Sequence, residues 1–263
     1  MLSMLLAGSR AMRHHFPDFP RNPKDWDYIV FPSSYPGLFD DDQQVVSDRG
    51  IEYLKNPIIT SVYSESDDLL TPDHLYTLKM SHVFWPRAQA KHLFDICFLR
   101  QKGCSLDRDL FDKLYAHWNV VNGINRRTDF DKPNSEFFDD YVNRKYSHDE
   151  LHLIMNPHPI YERVKKDLSG AAISEELFRI LPLSDQMEMI REEAYVLALE
   201  RYIIPGLKPW RVAYAESLRT MILRLTPLWL GIFMAENYWE LNKPTINFFK
   251  KFKEHGEIDI RTD

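Results

Sequence analysis

At Thr71-Pro72-Asp73 the chain changes character, and that change limits the folds open to it more than any other feature. Before it stand short apolar, β-branched runs broken by turn formers. Strands are expected near residues 2–7 and 27–32, followed by a Pro/Gly/Ser/Asp loop from Pro32 to Asp48. Two further runs, Ile51-Glu52-Tyr53-Leu54 and Ile58-Ile59-Thr60-Ser61-Val62-Tyr63, read as strands. After Thr71 the apolar spacing is helical. Thr71 can cap a helix and Pro72 suits its first position. A second helix is expected from Pro86 to a stop at Gly103, with others at 107–119, 135–155, 159–167, 173–180, 184–203, 209–224 and 227–241. The fold class is therefore α+β. A small mixed-sheet module over residues 1–105 packs on a larger helical part over 106–263.

Composition narrows the function classes. A 44% hydrophobic content describes a globular chain, and 33 basic against 39 acidic residues leave a net charge of -6. That balance gives no global footprint for duplex nucleic acid, although a local basic groove stays open. Cys97 and Cys104 lie seven apart, a spacing that suits neither a disulfide framework nor a thiolate zinc site, so a reducing cytoplasm is the simplest home. The run Met1-Leu2-Ser3-Met4-Leu5-Leu6-Ala7 lacks a basic leader region and reads as a strand. The apolar segment Leu225–Ala235 falls well short of the roughly 20 residues that cross a bilayer, and reads as a buried helix begun or kinked at Pro227. No membrane association is expected. There is no Walker A, Gly-x-Gly-x-x-Gly or Gly-x-Ser-x-Gly sequence.

Two short stretches carry chemistry. Asp25 and Asp27 are two apart on an expected strand, so both carboxylates point to one face and Trp26 to the other. Such a pair of hard oxygen ligands suits magnesium or manganese. Upstream, Gly8 lets the backbone approach a phosphate closely. Ser9 and the amides that open the following helix can donate to its oxygens. The competing explanation is two acids capping a strand.

Gly8-Ser9 followed by Asp25-Trp26-Asp27-Tyr28-Ile29-Val30 resembles the signature of the polymerase-beta-like nucleotidyltransferase superfamily. The stretch from Leu78 to Leu99, with Lys79, Arg87, Lys91 and Asp95, resembles the helical motif of abortive-infection and MNT-type toxin nucleotidyltransferases, with His92 standing where the family often has an acid. The resemblance covers about residues 1–105 and implies a nucleotidyltransferase-like fold for that module. By position it implies metal ligation by Asp25 and Asp27, with Mg2+ or Mn2+ as cofactor. It implies nucleotide contact by Gly8, Ser9 and Arg10, triphosphate contact by Lys79, and an acidic partner of the site in Asp95. Glu52 is the candidate third strand carboxylate. The interval from Ser9 to Asp25 is longer than the family usually has and rich in Pro and aromatics. The implied reaction moves an NMP group from an NTP, ATP among them, to an acceptor hydroxyl, with pyrophosphate leaving. The acceptor, whether small molecule, protein or RNA, is left open, as is a partner protein.

A second constellation belongs to another class. His148 and His152 are four apart, the helical spacing by which imidazoles chelate zinc, and Glu193 or Glu200 could add a ligand from a later helix. Asp149 stands where a zinc peptidase has its Glu base, one methylene shorter. The alternatives are thus a zinc-dependent hydrolase on His148, Asp149, His152 and Glu193, or a noncatalytic nucleotide-binding module. In the plainest account Ser147 caps the helix, with Asp149 and Glu150 favouring its first turn. Likewise Lys79 and Arg87 could belong to a solvated face, and Lys91 with Asp95 to a surface ion pair.

Overall fold

A computed structural model of the chain describes residues 2–40, 42–85, 90–122, 150–151 and 175–243. By internal packing the chain divides into two compact units, Met1–Ile124 and Asn125–Asp263. The class is α+β, with a mixed four-stranded sheet in the first unit and helices making up most of the other described residues.

The sheet comprises β1 (Met4–Leu6), β2 (Trp26–Val30), β3 (Val45–Asp48) and β4 (Ile51–Lys55), in the order β1-β2-β4-β3. β2 runs antiparallel to β1 and parallel to β4, with Asp27 opposite Glu52 and Tyr28 opposite Tyr53. β3 and β4 form a hairpin through Arg49 and Gly50, whose φ angles of 48° and 85° suit a turn with two left-handed positions. Between β1 and β2 lies α1 (Gly8–His15), which packs on β2. Leu5 and Ile29 on one sheet face are buried, as are Ala11 and Met12 of α1.

Two expectations are corrected in this region. Val45–Asp48 is a strand where the sequence suggested only loop. The run expected as a strand from Ile58 instead opens as a short helix, α2 (Pro57–Thr60). Asn56 Oδ1 accepts from the Ile59 N–H at 3.0 Å and Pro57 occupies the first turn, so end chemistry overrides the β preference of Ile58, Ile59 and Thr60.

The expected start at Thr71-Pro72 stands: α3 (Pro72–His82) has Thr71 as its cap, accepting from His74 N–H at 3.4 Å. α3 is buried from Leu75 through Ser81 and packs against α1, α4 (Ala90–Gln101) and α5 (Arg108–Asn122). A helix enclosed on so many sides needs no polar stripe. α4 closes with Gly103 at φ 85°. The expected start of that helix at Pro86 lies outside the described residues. α5, capped by Asp107 Oδ1 on Leu110 N–H at 3.0 Å, packs on α2 and α3 and so belongs to the first unit, beyond residue 105.

The second unit contains α6 (Glu175–Arg179), α7 (Leu183–Ala198), α8 (Trp210–Thr220), α9 (Leu228–Glu236) and α10 (Tyr238–Leu241). α7 widens into a π-helix at Leu199–Ile203 and α8 into another at Met221–Leu225. Phe178 of α6 meets Trp229 and Phe233 of α9, and Tyr195 of α7 lies 4.5 Å from Tyr214 of α8. α9 starts directly after Pro227. Among the described residues no helix is long and apolar enough to cross a membrane. The helices expected at 135–155 and 159–167 lie outside them, except for Glu150 and Leu151, which are helical.

Candidate active site

The start of α1 is pressed against β2. The Ala7 N–H donates to the Asp27 carbonyl at 2.8 Å, and Gly8 follows with φ 61°. A Cβ built on Gly8 would overlap Asp27 Oδ2 and stand 2.6 Å from its Cγ. Only glycine meets both the left-handed backbone and this approach. The Gly8–Asp27 juxtaposition thus joins two residues nineteen apart, because α1 opens just after β1, the antiparallel neighbour of β2.

Ser9 is the second residue of α1, and the first amides of that helix have no intrahelical partner. Arg10 Nε donates to the Asp25 carbonyl at 2.8 Å, and its guanidinium lies 4.1 Å over the Trp26 ring. It fixes the entry to β2. Trp26, Tyr28 and Tyr53 form a ladder with ring centroids 6.1 and 6.4 Å apart, on the sheet face away from Asp27.

Asp25 immediately precedes β2, and Glu52 faces the same side as Asp27 from the adjacent parallel strand. Burial pushes the Asp27 carboxyl above its ordinary range. The Asp25 charge adds to this, Lys79 opposes it, Glu52 raises it further and Lys91 pulls the other way. Among the described residues no three His, Cys, Asp or Glu side chains form a ready-made metal-holding group. An Asp27 carboxylate that is costly to ionise beside Asp25 and Glu52 would be relieved by positive charge brought next to it.

The floor of the site is an ion-pair network. Asp95 of α4 is fully buried and receives Arg21 at 2.6 Å and Lys79 of α3 at 3.0 Å. Arg21 also donates to Ser9 Oγ at 3.1 Å, tying the floor to the mouth of α1. Two expectations change here. Lys79 is buried rather than on a solvated face. Asp95 is paired through Lys79 and Arg21 rather than with Lys91 on a helix surface.

Arg21 was not foreseen. It sits in Phe16-Pro17-Asp18-Phe19-Pro20-Arg21-Asn22-Pro23, and only the unusual length of that interval signalled a role. Beyond Asp95, His92 is held neutral at about 3 by burial, with Lys79 and Lys91 adding repulsion. Its neighbour His82 is also pushed well below the imidazole range, chiefly by burial. His82 Nε2 and His92 Nδ1 are buried without a hydrogen-bond partner among the described residues.

Of the alternative constellation, His148, Asp149 and His152 lie outside the described residues, as does Arg87. Glu193 is half-buried on α7. Glu200 is buried in the π-helical turn that follows α7. Cys97 and Cys104 form no disulfide.

Residues 74–254, more than half of the chain, match a family described as Domain of unknown function (DUF7275). The match begins after Gly8, Ser9, Asp25, Asp27 and Glu52 and includes Lys79 and Asp95. No curated protein and no solved structure matches the chain.

Proposed function

The chain belongs to the DUF7275 family, whose description leaves its chemistry to be argued from residues, and we propose that it is a metal-dependent nucleotidyltransferase acting on an NTP. The observation that carries this reading is the contact of Gly8 with Asp27, on a strand paired in register with Glu52. It combines a helix start open to phosphate with carboxylates that need positive charge beside them.

Asp25 and Asp27, aided by Glu52, would hold Mg2+ or Mn2+, which supplies charge neutralisation at the phosphates and at the attacking and leaving oxygens. The amides opening α1 and the Ser9 hydroxyl bind phosphate oxygens, and Gly8 keeps the approach clear. Lys79, fixed by Asp95, adds positive charge beneath the phosphate chain. Glu52 is the group placed to accept the proton of the attacking acceptor hydroxyl, since Asp95 is already paired. The acceptor oxygen forms its bond to the α-phosphorus as pyrophosphate leaves. A cytoplasmic setting suits both the NTP and two cysteines that are not joined in a disulfide.

The test is a thermal-shift panel of the four NTPs with and without Mg2+ or Mn2+, on the wild type and on Asp25→Asn/Asp27→Asn. Ligands that bind the native state raise its stability by mass action. The expected result is metal-dependent stabilisation by at least one NTP, lost in the double variant. Equal stabilisation of the variant, or none of the wild type at millimolar NTP, refutes the reading. Binding without turnover on any acceptor identifies a noncatalytic nucleotide-binding module instead.

A further inference from the structure

We propose that Arg21 is a polyphosphate-binding residue, and that Asp95 serves to aim Arg21 and Lys79 at the phosphate chain rather than to take part in chemistry. This rests on the proposed nucleotide site and names the cation that completes it.

The geometry of the guanidinium carries the argument. Arg21 Nε donates to Asp95 Oδ1 at 2.9 Å, and Nη2 reaches both carboxylate oxygens, at 2.7 and 2.6 Å, and Ser9 Oγ at 3.1 Å. One edge of the fork is thus fixed. Nη1 has no partner among the described residues, and the side chain is 30% exposed although Asp95 is completely buried. Two N–H donors of a rigid, permanently charged group therefore remain at the mouth of α1, beside a serine hydroxyl and unpaired helix amides.

The local charge points the same way. Arg21 and Lys79 share one carboxylate, leaving a net charge of +1 in their ion cluster. Lys91 also acts on His92 and Asp27. A permanently charged guanidinium anchored on a buried carboxylate, next to N–H and O–H donors, is the arrangement that binds anionic oxygens. A phosphate chain matches it because its oxygens can accept from Arg21, Ser9 and the α1 amides together.

The first probe is inorganic tripolyphosphate without metal, titrated calorimetrically into the full chain at low salt. The wild type is expected to bind, and Arg21→Lys to bind at least about tenfold more weakly, since lysine keeps the charge but loses the second edge of the fork. Arg21→Ala should bind more weakly still. A second measurement needs no substitution: the Arg21 Nε–H resonance of the wild type should move as tripolyphosphate is added. Absence of wild-type binding, unchanged affinity in both variants, or an unmoved Arg21 resonance at saturation overturns the proposal. Failure of the transferase reading shows separately, as NTP stabilisation that ignores metal and the Asp25→Asn/Asp27→Asn change. Arg21-dependent tripolyphosphate binding can survive that outcome.

Discussion

Gly8→Ala tests how closely the start of α1 must approach β2. At φ 61° an alanine pays the left-handed penalty of about 1–2 kcal/mol. Its Cβ would also overlap Asp27 Oδ2 and lie 2.6 Å from Cγ and 3.0 Å from Cβ. Turning the carboxylate about its last bond leaves Cγ in place, so Asp27 must change its first torsion or the backbone must shift. An off-rotamer side chain adds about 0.5–1.5 kcal/mol. The reduced freedom of the unfolded chain returns about 0.4–1 kcal/mol. The expected net loss is about 2 kcal/mol, from summing these ranges. Urea unfolding of wild type, Gly8→Ala, Asp27→Ala and the double variant measures it. Because Asp27→Ala removes the two closest atoms, the cycle should show a favourable coupling of about 1 kcal/mol, leaving mainly the backbone penalty. A loss below about 0.5 kcal/mol, within the range of ordinary surface changes, or zero coupling refutes the argument.

Lys79→Met should destabilise by about 3 kcal/mol, because fully buried Asp95 loses one of its two cationic partners among the described residues; unfolding within error of wild type contradicts this. Asn56→Ala should cost about 1 kcal/mol through loss of the cap on Ile59 N–H, checked by the same unfolding curves. His92 supplies a pH prediction. Its folded-state pKa is about 3 against an ordinary 6.5, so between those values the unfolded chain binds more protons. The stability it contributes is complete above pH 6.5 and is lost as pH falls toward 3. His92→Asn should flatten the fall in Tm between pH 7 and pH 4 measured alongside wild type, and an unchanged slope opposes the assignment.

Local end chemistry made much of the fold legible. Thr71-Pro72 marked α3, Gly103 closed α4, and Pro227 preceded α9, because caps and stops depend on near neighbours. β3 was hidden because Val45 and Val46 are flanked by polar residues and acquire meaning only when paired with β4. Ile58-Ile59-Thr60 misled because β-branching is a weaker instruction than the Asn56 cap before it. In the site, Gly8, Ser9, Asp25 and Asp27 could be read as local patterns. Glu52 could not be placed without the parallel register, and Arg21 meets Asp95 seventy-four residues away. Burial of Lys79 was equally inaccessible, since nothing in its neighbours says that α3 is enclosed.

The segment that delivers Arg21 has prolines at 17, 20 and 23, with Phe19 buried between the first two and its N–H on the Phe16 carbonyl at 2.9 Å. Fixing a residue's backbone costs about 1–2 kcal/mol of conformational entropy, and proline has already surrendered part of it in the unfolded chain. The stiffness of this loop is therefore a form of preorganisation. Loosening it at Pro20 or Pro23 would weaken the presentation of Arg21 entropically, while every atom that touches Asp95 and Ser9 remained in the sequence.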